Sequence, residues 1–380
     1  METQNTSPTP KAQASQEQAP TQIQEQTQAQ EQTPTQTPEA PVKPVIMSSA
    51  ALLKKEASNR VDTGPQMIND AKFTKLYISP EKVCYTKSGI SQQGLKVAKF
   101  IDLPDFKKTV LEAYIPEKHS YSLNYKGRIY HIDVTQTVQG EQFCISRMPV
   151  IVPDLEKLGF ALSVNKILQS LGDKKGLILV AGSSSSGKTT TIASLLKKYL
   201  QLYGGYAVTI ENPIELPLSG VYKTVKGDLG VCSQTKLDGK DKIEGIKNAL
   251  RSKPNYIYLN EIDSPETAEE MLKAATSGYL VISSIKAGSI NDALNILARY
   301  TTTSSVGEEM GYNLLANGLL ACIYQELGGT PKHLKTESLF ANPELNSGCQ
   351  VRGMLRSGNI NATTQLEQQK NKIERGEPLF

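Results

Sequence analysis

The chain has 380 residues and an apolar fraction of 38%, enough for two modest domains with a real core. Lys and Arg together outnumber Asp and Glu by only 42 to 38, which excludes the strongly basic balance of a dedicated nucleic-acid binder. The five cysteines (Cys84, Cys144, Cys232, Cys322 and Cys349) are scattered and never in C-x-x-C spacing. This excludes a disulfide scaffold and a four-cysteine zinc module and fits a reducing cytoplasm.

Residues 1 to about 46 are mainly Gln, Thr, Pro, Glu and Ala, and the first aromatic residue is Phe73. Such a tract buries too little apolar surface to offset its ordering entropy, so a disordered tail is expected over 1–60, with a short helix near 46–59. It opens with no basic segment leading into an apolar stretch, so no secretory signal is expected. No apolar run reaches bilayer-crossing length, and membrane association is expected to be peripheral, through a partner.

From about 61 to 148 the pattern is β-like. Tyr130, Ile132 and Val134 alternate with His131, Asp133 and Thr135; Gln139-Gly140 reads as a turn, and Phe143 and Ile145 resume the alternation. A small α+β domain with an antiparallel hairpin is expected here. The two prolines within Met148 to Asp154 mark a linker, 149–154, and a candidate hinge.

A strand–helix rhythm then begins and defines a domain over 155–358. Val164, Ile167, Leu168 and Leu171 share a helical face, as do Ile192, Leu195, Leu196, Tyr199 and Leu200. Gly176 to Ala181, Tyr206 to Ile210, Tyr256 to Leu259 and Leu280 to Ser284 read as buried strands. The alternation predicts an α/β fold, a mostly parallel sheet with helices on both faces. After about 305 the chain reads as mainly helical, with one strand-like piece at 334–340 and an extension over 359–380.

Gly182-Ser-Ser-Ser-Ser-Gly187-Lys188-Thr189 fits the phosphate-binding loop G-x-x-x-x-G-K-[ST]. The glycines let the backbone wrap a phosphate, the loop N–H groups point inward, and the following helix offers its positive end. Lys188 neutralises the outer phosphates and Thr189 places its hydroxyl on Mg²⁺. An apolar strand precedes the loop and a helical pattern follows it, as the mechanism demands. Gly182, Ser183, Ser184, Ser185, Ser186, Gly187, Lys188, Thr189 and Thr190 are therefore the expected ATP contacts. Hydrolysis also needs carboxylates. Glu211, Glu215 and Glu261 all stand at or just beyond strand ends, where α/β sheets gather ligands. Thr189, Glu211 and Glu261 are the expected Mg²⁺ holders.

Several segments, in matching order and spacing, resemble the secretion ATPase superfamily (PilT/GspE-like) of pilus-retraction, type II secretion, and type IV secretion and conjugation motors. They are S-R-M-P-V-I-V-P-D-L-E-K-L-G around Arg147, the loop itself, T-I-E-N-P-I-E at 209–215, A-L-R-S-K-P-N-Y-I-Y-L-N-E at 249–261 and Q-V-R-G-M-L-R-S-G at 350–358. The resemblance implies a RecA-like motor domain behind a small PAS-like domain, and a homohexameric ring at the cytoplasmic face of the inner membrane. There it would dock on platform or channel proteins and hydrolyse ATP with Mg²⁺. It implies Glu215 as general base, Glu261 as the Walker B glutamate, and Arg147 and Arg128 as arginines that reach a nucleotide phosphate, across a subunit boundary. Arg251 matches an arginine of the helix before the Walker B strand.

This chain departs from the family pattern at Asn212, Asn260, Asp263, Ser264 and Glu326, and it has Tyr279 and Lys286 where the family carries two histidines. Lysine has the charge to contact a phosphate but neither a fork-like donor nor a switch near neutral pH. Two readings follow: an active motor ATPase, or a nucleotide-binding subunit with little turnover that partners an active one. A small-molecule P-loop kinase would make the 209–215 and 350–358 motifs coincidences.

Overall fold

The computed structural model describes residues 66–71, 73–87, 94–116, 119–237, 242–304, 307–329, 333–345 and 348–380. The tail over 1–60 and the helix expected near 46–59 lie outside them. The described residues belong to one compact unit, Leu53–Phe380, and carry two sheets.

The first sheet comprises β1 (Lys75–Ile78), β2 (Cys84–Lys87), β3 (Lys96–Val97), β4 (Ser120–Tyr125), β5 (Arg128–Thr137) and β6 (Gly140–Arg147). It is antiparallel throughout, in the order β3-β2-β1-β6-β5-β4. Tyr130, Ile132 and Val134 point into its core as their alternation predicts. Helix α1 (Leu103–Glu112) covers them, with Phe106 edge-on to Tyr125 and Tyr130 at 5.0 and 4.9 Å. The expected hairpin is β5–β6, with Thr137 paired to Gly140. His131, on the face expected to meet water, is only 5% exposed, because that face looks across a cleft at residues 213–216.

The second sheet has the order β14-β13-β7-β12-β11-β8-β10-β9. Six of its strands run parallel: β7 (Gly176–Ala181), β8 (Gly205–Glu211), β10 (Leu229–Lys236), β11 (Tyr256–Leu259), β12 (Leu280–Ile285) and β13 (Leu319–Gly328). The edge strands β9 (Gly220–Lys223) and β14 (His333–Phe340) run antiparallel. β7, β11 and β12 are buried at every position, the signature of central parallel strands covered on both faces. One face packs on α2 (Leu162–Ser170) and α3 (Lys188–Leu202) through Val164, Leu168, Ile192 and Leu195. The other packs on α4 (Lys242–Arg251), α5 (Pro265–Thr276), α6 (Ile290–Thr302) and α7 (Glu308–Gly318) through Ile246, Met271, Leu294 and Leu315. Helices α8 (Gln350–Arg356) and α9 (Thr363–Arg375) complete the chain. Ser264 caps α5, accepting from the Thr267 N–H at 3.2 Å with Pro265 opening the helix.

The structure corrects one reading. The sequence presents the chain after about 305 as mainly helical with a single strand, which is β14. Leu319–Gly328 is a further strand, β13, paired with both β7 and β14. α7 runs straight into it, and an apolar run such as Leu319 to Ile323 fits a buried helix as well as a buried strand.

β13 flanks β7 on one side and β12 on the other, while the chain leaves β7 for β8, three strands away. The loop after β7 therefore opens at a topological switch point, where such sheets hold ligands. No helix among the described residues is long and apolar enough to cross a membrane.

Candidate functional site at the phosphate loop

The loop joins the buried end of β7 to the first turn of α3. Gly182 and Gly187 have φ of +154° and +91°, and Ser185 has +63°. A Cβ on Gly182 would lie 2.4 Å from the Gln325 carbonyl and 2.5 Å from Ser186 Oγ, so only glycine closes the loop here. Ser183, Ser184 and Ser185 are exposed at the tip, while Ser186 is buried. Gln325 of β13 donates from Nε2 to the Ser186 carbonyl at 2.7 Å and is itself 1% exposed. Lys188 Nζ reaches back over the loop to the Gly182 and Ser183 carbonyls at 2.9 and 2.7 Å. Burial pulls the Lys188 ammonium below the ordinary lysine range; Lys286 adds to this, while Glu261 and Glu215 oppose it. Thr189 faces the hydroxyl of Tyr258, whose ionisation burial pushes far up. A glycine-built turn with the Lys188 ammonium folded over it, and with Glu261 and Glu215 within reach of that charge, fits a magnesium nucleotide.

Strand order decides which acidic residues come near. β12 separates β7 from β11, so Glu261, two residues beyond β11, and Lys286, the first residue beyond β12, end side by side. Lys286 Nζ is 3.1 Å from both Glu261 oxygens. Lys242 of α4 donates to the Glu261 carbonyl at 3.3 Å and pairs with the Asp263 carboxylate.

Glu211 is 1% exposed. Its Oε1 accepts from Thr209 Oγ1 at 2.6 Å and Gln234 Nε2 at 2.8 Å, and burial pushes its carboxyl up. Expected at the metal, it is instead turned into the protein. Glu215 is exposed and lines a cleft of about 300 Å³ that also receives Thr190, Lys75, His131 and Arg147. Lys188 is thus within electrostatic reach of both Glu261 and Glu215, and Arg147 lies on the same cleft as Glu215.

Arg147 is committed to the segment that leads into β1. It donates to the Ile68 and Ala71 carbonyls at 2.7 and 2.5 Å and stacks on Phe73 at 4.6 Å. Burial lowers its ionisation below the arginine range, and Arg128 presses in the same direction. Arg251 lies at the end of α4 on Asn248, 3.2 Å away. Sequence reasoning missed Gln325, Lys242 and Lys75. Gln325 becomes visible once residues 319–328 are read as a strand flanking the loop strand; no motif marks the two lysines.

Residues 97–370 match the model of a family described as type II/IV secretion system protein. A twitching motility protein of Neisseria gonorrhoeae is 26% identical over 71% of this chain and 72% of its own length. Competence protein ComGA of Bacillus subtilis is 29% identical over 56% and 59%, and type II secretion system protein E of Pectobacterium carotovorum is 29% identical over 58% and 42%. The chain thus spans about two-fifths to three-quarters of these relatives. Among solved structures, the pilus retraction motor PilT with bound ADP aligns over 81% of this chain and 87% of its own, with a TM-score of 0.60 at 22% identity. The Legionella pneumophila ATPase DotB aligns over 80% and 84%, with a TM-score of 0.60 at 17% identity. At these identities the structures speak for the fold.

Proposed function

The chain belongs to the type II/IV secretion system protein family, and we propose that it is an ATP-hydrolysing motor subunit powering a type IV secretion, conjugation or type IV pilus machine. It would work as a homohexameric ring on inner-membrane platform or channel proteins, at the cytoplasmic face. The observation that carries this reading is the glycine-built loop at the sheet's switch point, with Lys188 folded over it and Glu261 and Glu215 within reach of its charge.

In this reading the loop amides and Lys188 bind and orient the outer phosphates, and Thr189 with Glu261 holds Mg²⁺. Mg²⁺ supplies charge neutralisation on the phosphate oxygens. Glu215, exposed on its cleft, takes the proton from the attacking water. Glu211 keeps its place as the buried anchor of the 211–215 segment. The test is phosphate release from Mg-ATP over a range of protein concentrations. Turnover per subunit should rise with concentration, and Lys188→Ala should lose both nucleotide binding and turnover. Full ATP binding by Lys188→Ala would refute the site.

A second reading is a nucleotide-binding subunit with weak turnover that partners another motor. The observation favouring it is the Lys286–Glu261 pair, which engages the carboxylate needed for the metal. Tight ATP binding without turnover at any concentration would select it.

A further inference from the structure

We propose that Lys286 is a positioning residue that holds Glu261 by an ion pair, so that Mg²⁺ must draw the carboxylate off Lys286 to complete the site. The inference rests on the ATPase reading and specifies how that site is regulated.

Three observations carry it. The first is the geometry: Lys286 Nζ stands 3.1 Å from each carboxylate oxygen, so both oxygens face the ammonium rather than one grazing it. The second is that the backbone fixes this approach. Ser284 Oγ donates to the Asn260 carbonyl at 2.5 Å, and the Ile262 N–H donates to the Ser284 carbonyl at 2.8 Å. The ends of β11 and β12 are thereby stitched together one residue before Glu261 and two before Lys286. Lys242 holds the same turn from behind, through the Glu261 carbonyl and Asp263. The third is exposure. The Lys286 side chain is 65% exposed and that of Glu261 26%, so the pair is wet enough to be broken by a divalent cation without disturbing the core. Lys286 also acts on Lys188, so the pair stands within the field of the phosphate loop.

The chemistry follows from competition. A carboxylate cannot give the same lone pairs to an ammonium and a divalent cation, so Lys286 and the metal oppose each other at Glu261. Removing Lys286 should leave Glu261 more available to Mg²⁺ and make nucleotide binding more dependent on it.

The experiment measures binding of a non-hydrolysable ATP analogue by calorimetry, in Mg²⁺ and in EDTA, for the full chain and for Lys286→Met, Glu261→Gln and the double variant. The readout is the ratio of the two affinities. Loss of one positive charge shifts this ratio in any background, so only the difference between backgrounds reports the pair. Lys286→Met should raise the ratio by about tenfold more when Glu261 is present than when it is Gln, a coupling in the range typical of interacting sites. Lys286→Arg should stay near the unaltered chain. An equal shift in both backgrounds overturns the proposal and leaves Lys286 acting through its charge alone. Failure of the unaltered chain to bind the analogue in Mg²⁺ overturns the ATPase reading, and this proposal with it.

Discussion

Glu211 and Glu215 stand four residues apart in opposite surroundings, one buried and one exposed. Glu211 accepts two hydrogen bonds inside the protein, and burial raises its carboxyl above the ordinary value of 4.5. A raised carboxyl binds its proton more tightly folded than unfolded. The charged form therefore costs stability, and the cost accrues as pH rises above that ordinary value. Glu211→Gln removes the charge and keeps an acceptor for Thr209 and Gln234. It should stabilise the protein against urea at pH 7 and hardly at all at pH 4, while Mg²⁺-dependent phosphate release stays within about threefold. Glu215→Gln should cost phosphate release about 10²-fold or more, the usual weight of a general base, with nucleotide binding kept. Loss of Mg²⁺ dependence in Glu211→Gln would return Glu211 to the metal. From the sequence both carboxylates looked alike, because each follows a strand; only the tertiary partners of Glu211, above all Gln234 from β10, tell them apart.

What was legible at the level of elements followed length and pattern. β7, β8, β11 and β12 were readable because each is a short apolar run bounded by polar residues and fed by a helix. The hairpin β5–β6 was readable from its alternation, whereas β1, β2 and β3, with four, four and two residues, carry too few positions to show a period. β13 was hidden by the helix running into it. The 350–358 motif was legible as a motif but not in its role. Its Arg352 is 2% exposed, and burial lowers its ionisation. It donates to the Ala316 and Asn317 carbonyls at the end of α7 and to the Asn342 carbonyl after β14. The motif thus clasps α8 to both elements flanking β13. Arg352→Met leaves buried carbonyls without a donor, at about 1–3 kcal/mol for each group left unmet. Thermal melting should fall by several degrees, since about 1 kcal/mol shifts a domain of this size by roughly 2–4 °C. An unchanged melting temperature would mean the clasp is dispensable.

Across the whole molecule, the phosphate loop is wired to the first sheet. Lys197 of α3 donates to the Val152 carbonyl at 3.0 Å and to Asp154 at 2.9 Å, so the helix that begins at the loop also holds the linker. Residues 149–154 lead back to β6, which ends in Arg147, so a shift of α3 would act first on that linker. That arginine is tied to the Ile68 and Ala71 carbonyls and the Phe73 ring, all in the segment ahead of β1, and freeing it would give up those contacts. Arg128 lies two residues from Tyr130 on the same face of the hairpin, and among the described residues no such pair of carbonyls holds it. Of these two arginines, Arg128 is the freer to reach a neighbour's phosphate if the chain works in a ring. Subunit mixing separates the cases. Arg128→Ala subunits keep an intact loop and Glu215, and Glu215→Gln subunits keep an intact Arg128. Each alone should turn over ATP slowly. Mixed in equal amounts, they should regain a substantial share of the activity, because some sites then combine a sound Glu215 with a neighbour's sound Arg128. If Arg128 serves only its own subunit, every mixed site still lacks one of the two groups, and the mixture stays as slow as its parts.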